Sequence, residues 1–248
     1  MFACEYFTRM PVKYRGDIEL YTVKGIRSHF SLQGKGIIPN RRFSVRFGLI
    51  QFTDLQELML NKLERELPGN LYYHNVKHTI DVVTQAELIG IGEEVNDEEL
   101  LLLKTAALFH DSGHILSYDD HEHFGTIIAR EVLPDYFYTQ GQIDIICDLV
   151  MTTKMPPKPK NKLEKIICDA DLDYLGRSDM IPVSNSLYRE LKDLDKVGSL
   201  RDWNLLQISF ISGHQYFTKT AQSLREVNKQ KQIERITKLI EEQDELGT

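Results

Sequence analysis

The sequence predicts a mainly α-helical domain preceded by a short β-containing segment, and three observations carry that expectation. From about residue 53 onward, apolar residues recur at spacings of three and four. Gly and Pro clusters cut this pattern into helix-length pieces, and the strand-prone runs are confined to residues 11–47. With 248 residues, 42% hydrophobic and 27% charged, the chain can bury a sizeable core and is not composed like a disordered one.

Val12–Arg15 and Ile18–Val23 are β-prone runs flanking Gly16-Asp17, a two-residue turn signal, so a hairpin is expected there. Gly34, Gly36 and Pro39-Asn40 then mark a loop. Thr53 or Asp54 caps a first helix with Leu55, Leu58, Met59, Leu63 and Leu67 on one face, ended by Pro68-Gly69. A second helix runs from about Asn75 to Ile91. A third starts near Asn96-Asp97, carries Leu100–Leu103 and Ala106–Leu108, and ends near Asp111-Ser112-Gly113. Further helices are expected at about 121–132, 140–153, 162–175, 180–195, 200–226 and 229–244, with Pro156, Pro157 and Pro159 making a loop between two of them.

The formal charge of −7 argues against a generic basic surface for nucleic acid or anionic lipid, although a bound cation can still bring phosphates to an acidic protein. Three widely spaced cysteines, Cys4, Cys147 and Cys168, suit neither a disulfide framework nor a cysteine-based zinc site. No apolar run approaches the roughly 18 residues that span a bilayer, and the first residues lack a signal-peptide pattern. A cytoplasmic protein with no membrane partner is the expectation.

The chemistry concentrates in the histidines, six of eight lying between positions 74 and 123. His74 and His78 are four apart and share a helix face. His110-Asp111 closes the next helix, with Gly113-His114 just after it; Asp169-Ala170-Asp171-Leu172-Asp173 follows some sixty residues later. Imidazole suits first-row divalent metals, and carboxylates add hard oxygen ligands.

A histidine, a His-Asp pair and a distant Asp, in that order, resemble the signature of the HD superfamily of metal-dependent phosphohydrolases. His78, His110-Asp111 and Asp171 are the matching members, and Ala106–Asp111 resembles the apolar helix that leads into the pair. The likeness covers about residues 70–176. It implies an HD-domain helical bundle over residues 51–248, with residues 1–50 as a β-hairpin appendage. It also implies one or two divalent ions (manganese, iron, nickel, zinc or magnesium) held by His78, His110, Asp111 and Asp171. Asp169 is the rival to Asp171. His121-Glu122 reads either as a ligand pair for a second metal or as a solvated helix start, and His114 as support for the His110-Asp111 turn. Lys154 reads as a phosphate contact or as a solvated lysine.

Tyr73–Val82 further resembles the first metal motif of the class I cyclic nucleotide phosphodiesterases. That likeness makes His78 a ligand and His74 the general acid that protonates a departing oxygen. The chemistry agrees, since a metal lowers the pKa of water and a histidine can donate a proton near neutral pH. Gln207 and Phe210 have the Gln-x-x-Phe form with which those enzymes hold a purine, but an amphipathic helix with one buried Phe explains them too. Residues 12–25 resemble the final hairpin of class III nucleotide cyclase domains, and a plain hairpin reads nearly as well. The expected partner is a small phosphorylated molecule, a nucleotide or cyclic nucleotide, cleaved at its phosphoester. The alternatives are a nucleotide monophosphatase or triphosphohydrolase, or a catalytically silent nucleotide-sensing module.

Overall fold

A computed structural model describes the backbone of residues 18–21, 27–30 and 41–246 and the side chains of residues 52–242. The chain divides into two units, 1–41 and 42–248. In the first, β1 (Ile18–Tyr21) pairs antiparallel with β2 (Arg27–Phe30), with Ile18 opposite Phe30 and Tyr21 opposite Arg27. The hairpin expected about Gly16-Asp17 needs residues 12–15, which lie outside the described residues. The partner strand is Arg27-Ser28-His29-Phe30, which has no apolar alternation to announce it.

The second unit is helical. The first helix, α1 (Arg41–Glu66), begins twelve residues before the expected cap at Thr53, which lies inside it. Phe-, Val- and Ile-containing residues 41–52 are weak helix formers by propensity, but nothing in that stretch breaks a helix. Elsewhere local capping sets the starts. Asn75 caps α2 (Val76–Gly92) by accepting from Lys77 N and His78 N. Asn96 and Glu99 form a capping box on α3 (Asp97–Phe109), as Thr139 and Gln142 do on α5 (Gln140–Thr152). Between these, α4 spans His121–Val132, and α6 spans Lys162–Asp171 before a 3-10 turn at Asp173–Gly176.

α2 packs on α3 and α6, α3 and α4 pack on α5, and this group encloses the main core with Phe52, Leu55 and Met59 of α1. Ala106, Ala107, Leu108 and Phe109 of α3 are all fully buried, so the end of this helix has protein on every side. A second apolar cluster joins Tyr73, Tyr174 and Leu175 to α7 (Met180–Asp193), α8 (Leu200–Gly213) and the final helix. The long helix expected over 200–226 is broken. α8 stops at Gly213, and the chain runs through His214–Thr218 to a short α9 (Lys219–Ala221), a π turn (Gln222–Glu226) and α10 (Val227–Leu246). The cause is tertiary: the buried Asp169 carboxylate accepts from Phe217 N (2.9 Å), Thr218 N (2.8 Å) and Thr218 Oγ1 (2.6 Å). Among the described residues no helix is long and apolar enough to cross a membrane.

Candidate metal centre

Three elements deliver four ligand atoms to one point. The Asn75 cap starts α2 so that His78 lies in its first turn, facing the core. His110 and Asp111 follow the buried end of α3, and Asp171 is the last residue of α6. His78 Nε2 lies 3.3 Å from His110 Nε2, 3.3 Å from Asp111 Oδ2 and 3.3 Å from Asp171 Oδ1. His110 Nε2 lies 3.0 Å from Asp111 Oδ2 and 3.5 Å from Asp171 Oδ1.

The donor set fits a divalent cation. His110 Nδ1 donates to Ala107 O at 2.8 Å, which leaves Nε2 as the ring's lone-pair nitrogen. Asp111 Oδ2 is buried with no hydrogen-bond partner despite its neighbours, so its contacts are convergent lone pairs rather than a closed network. Two imidazole nitrogens and two carboxylate oxygens at such spacing are a mixed N/O set suited to first-row metals. Burial works against charging either imidazole, but the Asp111 and Asp171 carboxylates prevail. They raise the pKa of His78, and that of His110 well above the ordinary value. The aspartates are held low in return: burial opposes it, and the two histidines outweigh it.

Asp111 also faces a second group through Oδ1, which lies 3.4 Å from His121 Nε2 and 4.0 Å from His114 Nε2. His121 Nδ1 donates to Tyr118 O at 3.2 Å, turning its Nε2 inward, 3.5 Å from Glu122 Oε1. The His114 and His121 rings stack with centroids 4.0 Å apart. Both nitrogens of His114 are buried without partners, and burial pushes its pKa down to about 3, so it stays a neutral ring. Donor atoms of His74, Asp111 and His114 lie within 4.8 Å of one another, a second group able to hold an ion.

Close packing sets this arrangement. Asp111 leads into a 3-10 turn, Ser112–Ile115, whose Gly113 lies so near α4 that a Cβ there would sit 1.9 Å from His121 O. On the α4 side Gly125 does the same, its missing Cβ 2.8 Å from Phe109 O. These two glycines let the turn and α4 meet, which brings His121 and Glu122 to Asp111.

His74 precedes α2 and is held by a residue that the spacing arguments do not reach. Glu190 of α7 is fully buried and accepts from the backbone N–H groups of Tyr73 (2.9 Å) and His74 (3.1 Å) and from Tyr118 OH (3.3 Å). It also accepts from His74 Nδ1. Although burial acts to raise it, the pKa of Glu190 is lowered by His74 and the two backbone N–H groups. A carboxylate in that state fixes the proton on Nδ1 and leaves His74 Nε2 free. A charged residue at a buried helix position is the only sequence signal of this role, and position 190 lies 116 residues from position 74.

A cleft opens over the cluster, lined by the polar residues His74, Asp111, His121, Glu122 and Asp171 and by the apolar residues Met155, Leu187, Trp203, Leu206 and Phe210. Gln207 also lines it, with its buried Oε1 lacking a partner. Trp203 is held by its Nε1 donating to Ser184 Oγ at 2.9 Å. Two expected site residues lie elsewhere. Asp169 turns to residues 217–218, away from the cluster, and Lys154 pairs with Asp120 at 2.5 Å on the surface.

With this geometry in place, residues 75–173 match the family model described as the HD domain. A relative from Clostridium beijerinckii, described as an uncharacterized protein, is 37% identical over 76 residues, covering 29% of this chain. The match takes in 48% of that relative, so the chain spans about half the length of the protein it matches. Among solved structures, Bacillus subtilis YpgQ in complex with ADP aligns with a TM-score of 0.59 at 17% identity, over 79% of this chain and 96% of that one. A predicted HD superfamily hydrolase from an uncultured Thermotogales bacterium aligns with a TM-score of 0.49 at 19% identity, over 75% of this chain and 91% of that one.

Proposed function

We propose that the chain is a divalent-metal-dependent phosphohydrolase that cleaves a phosphoester of a nucleotide or cyclic nucleotide. The observation that carries this reading is the approach of His78 Nε2 and His110 Nε2 to each other and to Asp111 Oδ2 and Asp171 Oδ1, at 3.0–3.5 Å. These four would hold the ion; Asp111 Oδ1, His114, His121 and Glu122 are the candidates for a second. A bound divalent cation supplies Lewis-acid charge for the phosphoryl oxygens and lowers the pKa of water.

The protein's own groups do the rest. His74, its Nδ1 proton fixed by Glu190, presents Nε2 to the cleft and in its protonated form donates to the departing ester oxygen. The Trp203–Phe210 wall of α8 receives the organic part of the substrate and excludes water beside the cluster. Residues 51–248 form the hydrolase domain, and residues 1–50 an appendage related to the tail of a nucleotide cyclase domain. A second reading, hydrolysis of a nucleoside polyphosphate, draws on the ADP bound by the structurally similar YpgQ.

The test is a screen of the metal-loaded chain against cyclic and linear nucleotides, with phosphate and nucleoside products separated. Metal-dependent cleavage of a phosphodiester or monoester supports the proposal. Nucleotide binding without turnover under several metals contradicts it and leaves a sensing role.

A further inference from the structure

We infer that the cleft selects substrates in which one phosphoryl group joins an uncharged, largely apolar organic part, and that it disfavours polyphosphate chains. This rests on the hydrolase reading and narrows its substrate class. The described lining residues include three carboxylates, Asp111, Glu122 and Asp171, and no lysine or arginine. One divalent cation at the cluster would offset the two aspartates, and a second beside Glu122 would meet that third carboxylate, so little charge would remain for a long anionic chain.

Beyond the cluster the wall is Met155, Leu187, Trp203, Leu206 and Phe210, with no cationic group. Gln207, whose buried Oε1 has no partner, is a neutral amide that can donate a hydrogen bond from Nε2 but supplies no counter-charge to a phosphate. A second or third phosphate laid along this wall would lose water without gaining a counter-charge, which is costly. An uncharged organic group there gains by removing apolar surface from water.

The described cations nearest the cluster are paired: on the far side of His78 and Asp171, Arg177 pairs with Asp179 at 2.6 Å and with Asp81 at 3.4 Å, and Lys77 lies 3.8 Å from Asp81. Lys154, between the lining residues Thr153 and Met155, pairs with Asp120 at 2.5 Å, and Lys196 pairs with Asp119 at 2.9 Å beside Tyr118. Asp119 and Asp120 thus hold two nearby cations on the surface, a loose hold because both pairs are exposed.

Calorimetric titration of the manganese-loaded full chain tests this with three non-hydrolysable ligands that share one nucleoside: a phosphonate and the methylene-bridged di- and triphosphate analogues. The one-phosphoryl ligand should bind at least about 10-fold tighter than the others at about 0.15 M salt, the equivalent of one poorly compensated charge. Affinity that rises with phosphate number, or no binding of the one-phosphoryl ligand, overturns the inference. In Leu206→Lys, a change at a half-exposed wall position, the affinity ratio should move several-fold toward the diphosphate analogue; an unchanged ratio counts against it. Turnover of the matching esters reads the hydrolase proposal separately. The expected affinity order without turnover would remove hydrolysis and leave the selection of one phosphoryl group standing.

Discussion

The His74 ring is held at one nitrogen and open at the other, and this asymmetry is what proton donation requires. Glu190 takes the Nδ1 proton and is itself locked by two backbone N–H groups and Tyr118. His74→Ala should therefore leave metal content near normal and lower turnover by about 10²–10⁴-fold, the usual scale of general acid catalysis. With a nitrophenolate leaving group the loss should shrink, because that group departs without a proton. An equal loss on both substrates would assign His74 to positioning or metal binding. Glu190→Gln should lower turnover of a substrate that needs its leaving group protonated more than turnover of a nitrophenyl ester, since the neutral amide no longer fixes the His74 ring as the carboxylate does. The candidate ligands are named through the resemblance to the HD superfamily, with Asp169 as rival to Asp171, and the fold brings His78, His110, Asp111 and Asp171 together. Glu190 is not named in this way, since a contact closed only by tertiary folding leaves no trace at short range.

At the scale of elements, caps and packing decide how far local reading reaches. Asn75 and Asn96 place the starts of α2 and α3 where their side chains can take backbone N–H groups, so both boundaries were readable. The break after α8 was not, because residues 200–226 keep a helical pattern and Asp169 bends them from another helix. Asp169, the rival to Asp171 in the sequence, serves this turn. The loop between α3 and α4 depends on Gly113, whose absent side chain makes room for the backbone of α4. Gly113→Ala should destabilise the fold by about 1–3 kcal/mol, the usual cost of overpacking, and should weaken metal binding by moving Asp111 from His121. Urea unfolding followed by metal titration measures both. A variant as stable as the parent would show that α4 can retreat at no cost.

For the molecule as a whole, stability should depend on pH through a group remote from the cluster. His214, at the end of α8, is buried enough that its pKa falls from 6.5 to about 4, with Lys229 adding to the shift and Glu226 opposing it. The folded state therefore binds fewer protons than the unfolded chain between these values, and its stability is full above pH 6.5 and declines as pH falls toward 4. His214→Gln should flatten that decline in urea midpoints measured at about pH 7 and pH 5; an unchanged slope would place the pH dependence elsewhere. The helical architecture followed from periodicity, but the layer of α7, α8 and α10 over Tyr73 and Tyr174, which walls the cleft, depends on contacts between distant segments.

The most direct test is equilibrium metal binding by the full chain, read by elemental analysis after dialysis, beside Asp171→Ala and Asp169→Ala. The two aspartates lie two residues apart, and only Asp171 faces His78 and His110. The parent should retain a divalent ion, Asp171→Ala should remain folded and lose it, and any folded Asp169→Ala protein should keep it. A folded Asp171→Ala that binds metal as the parent does would contradict the account.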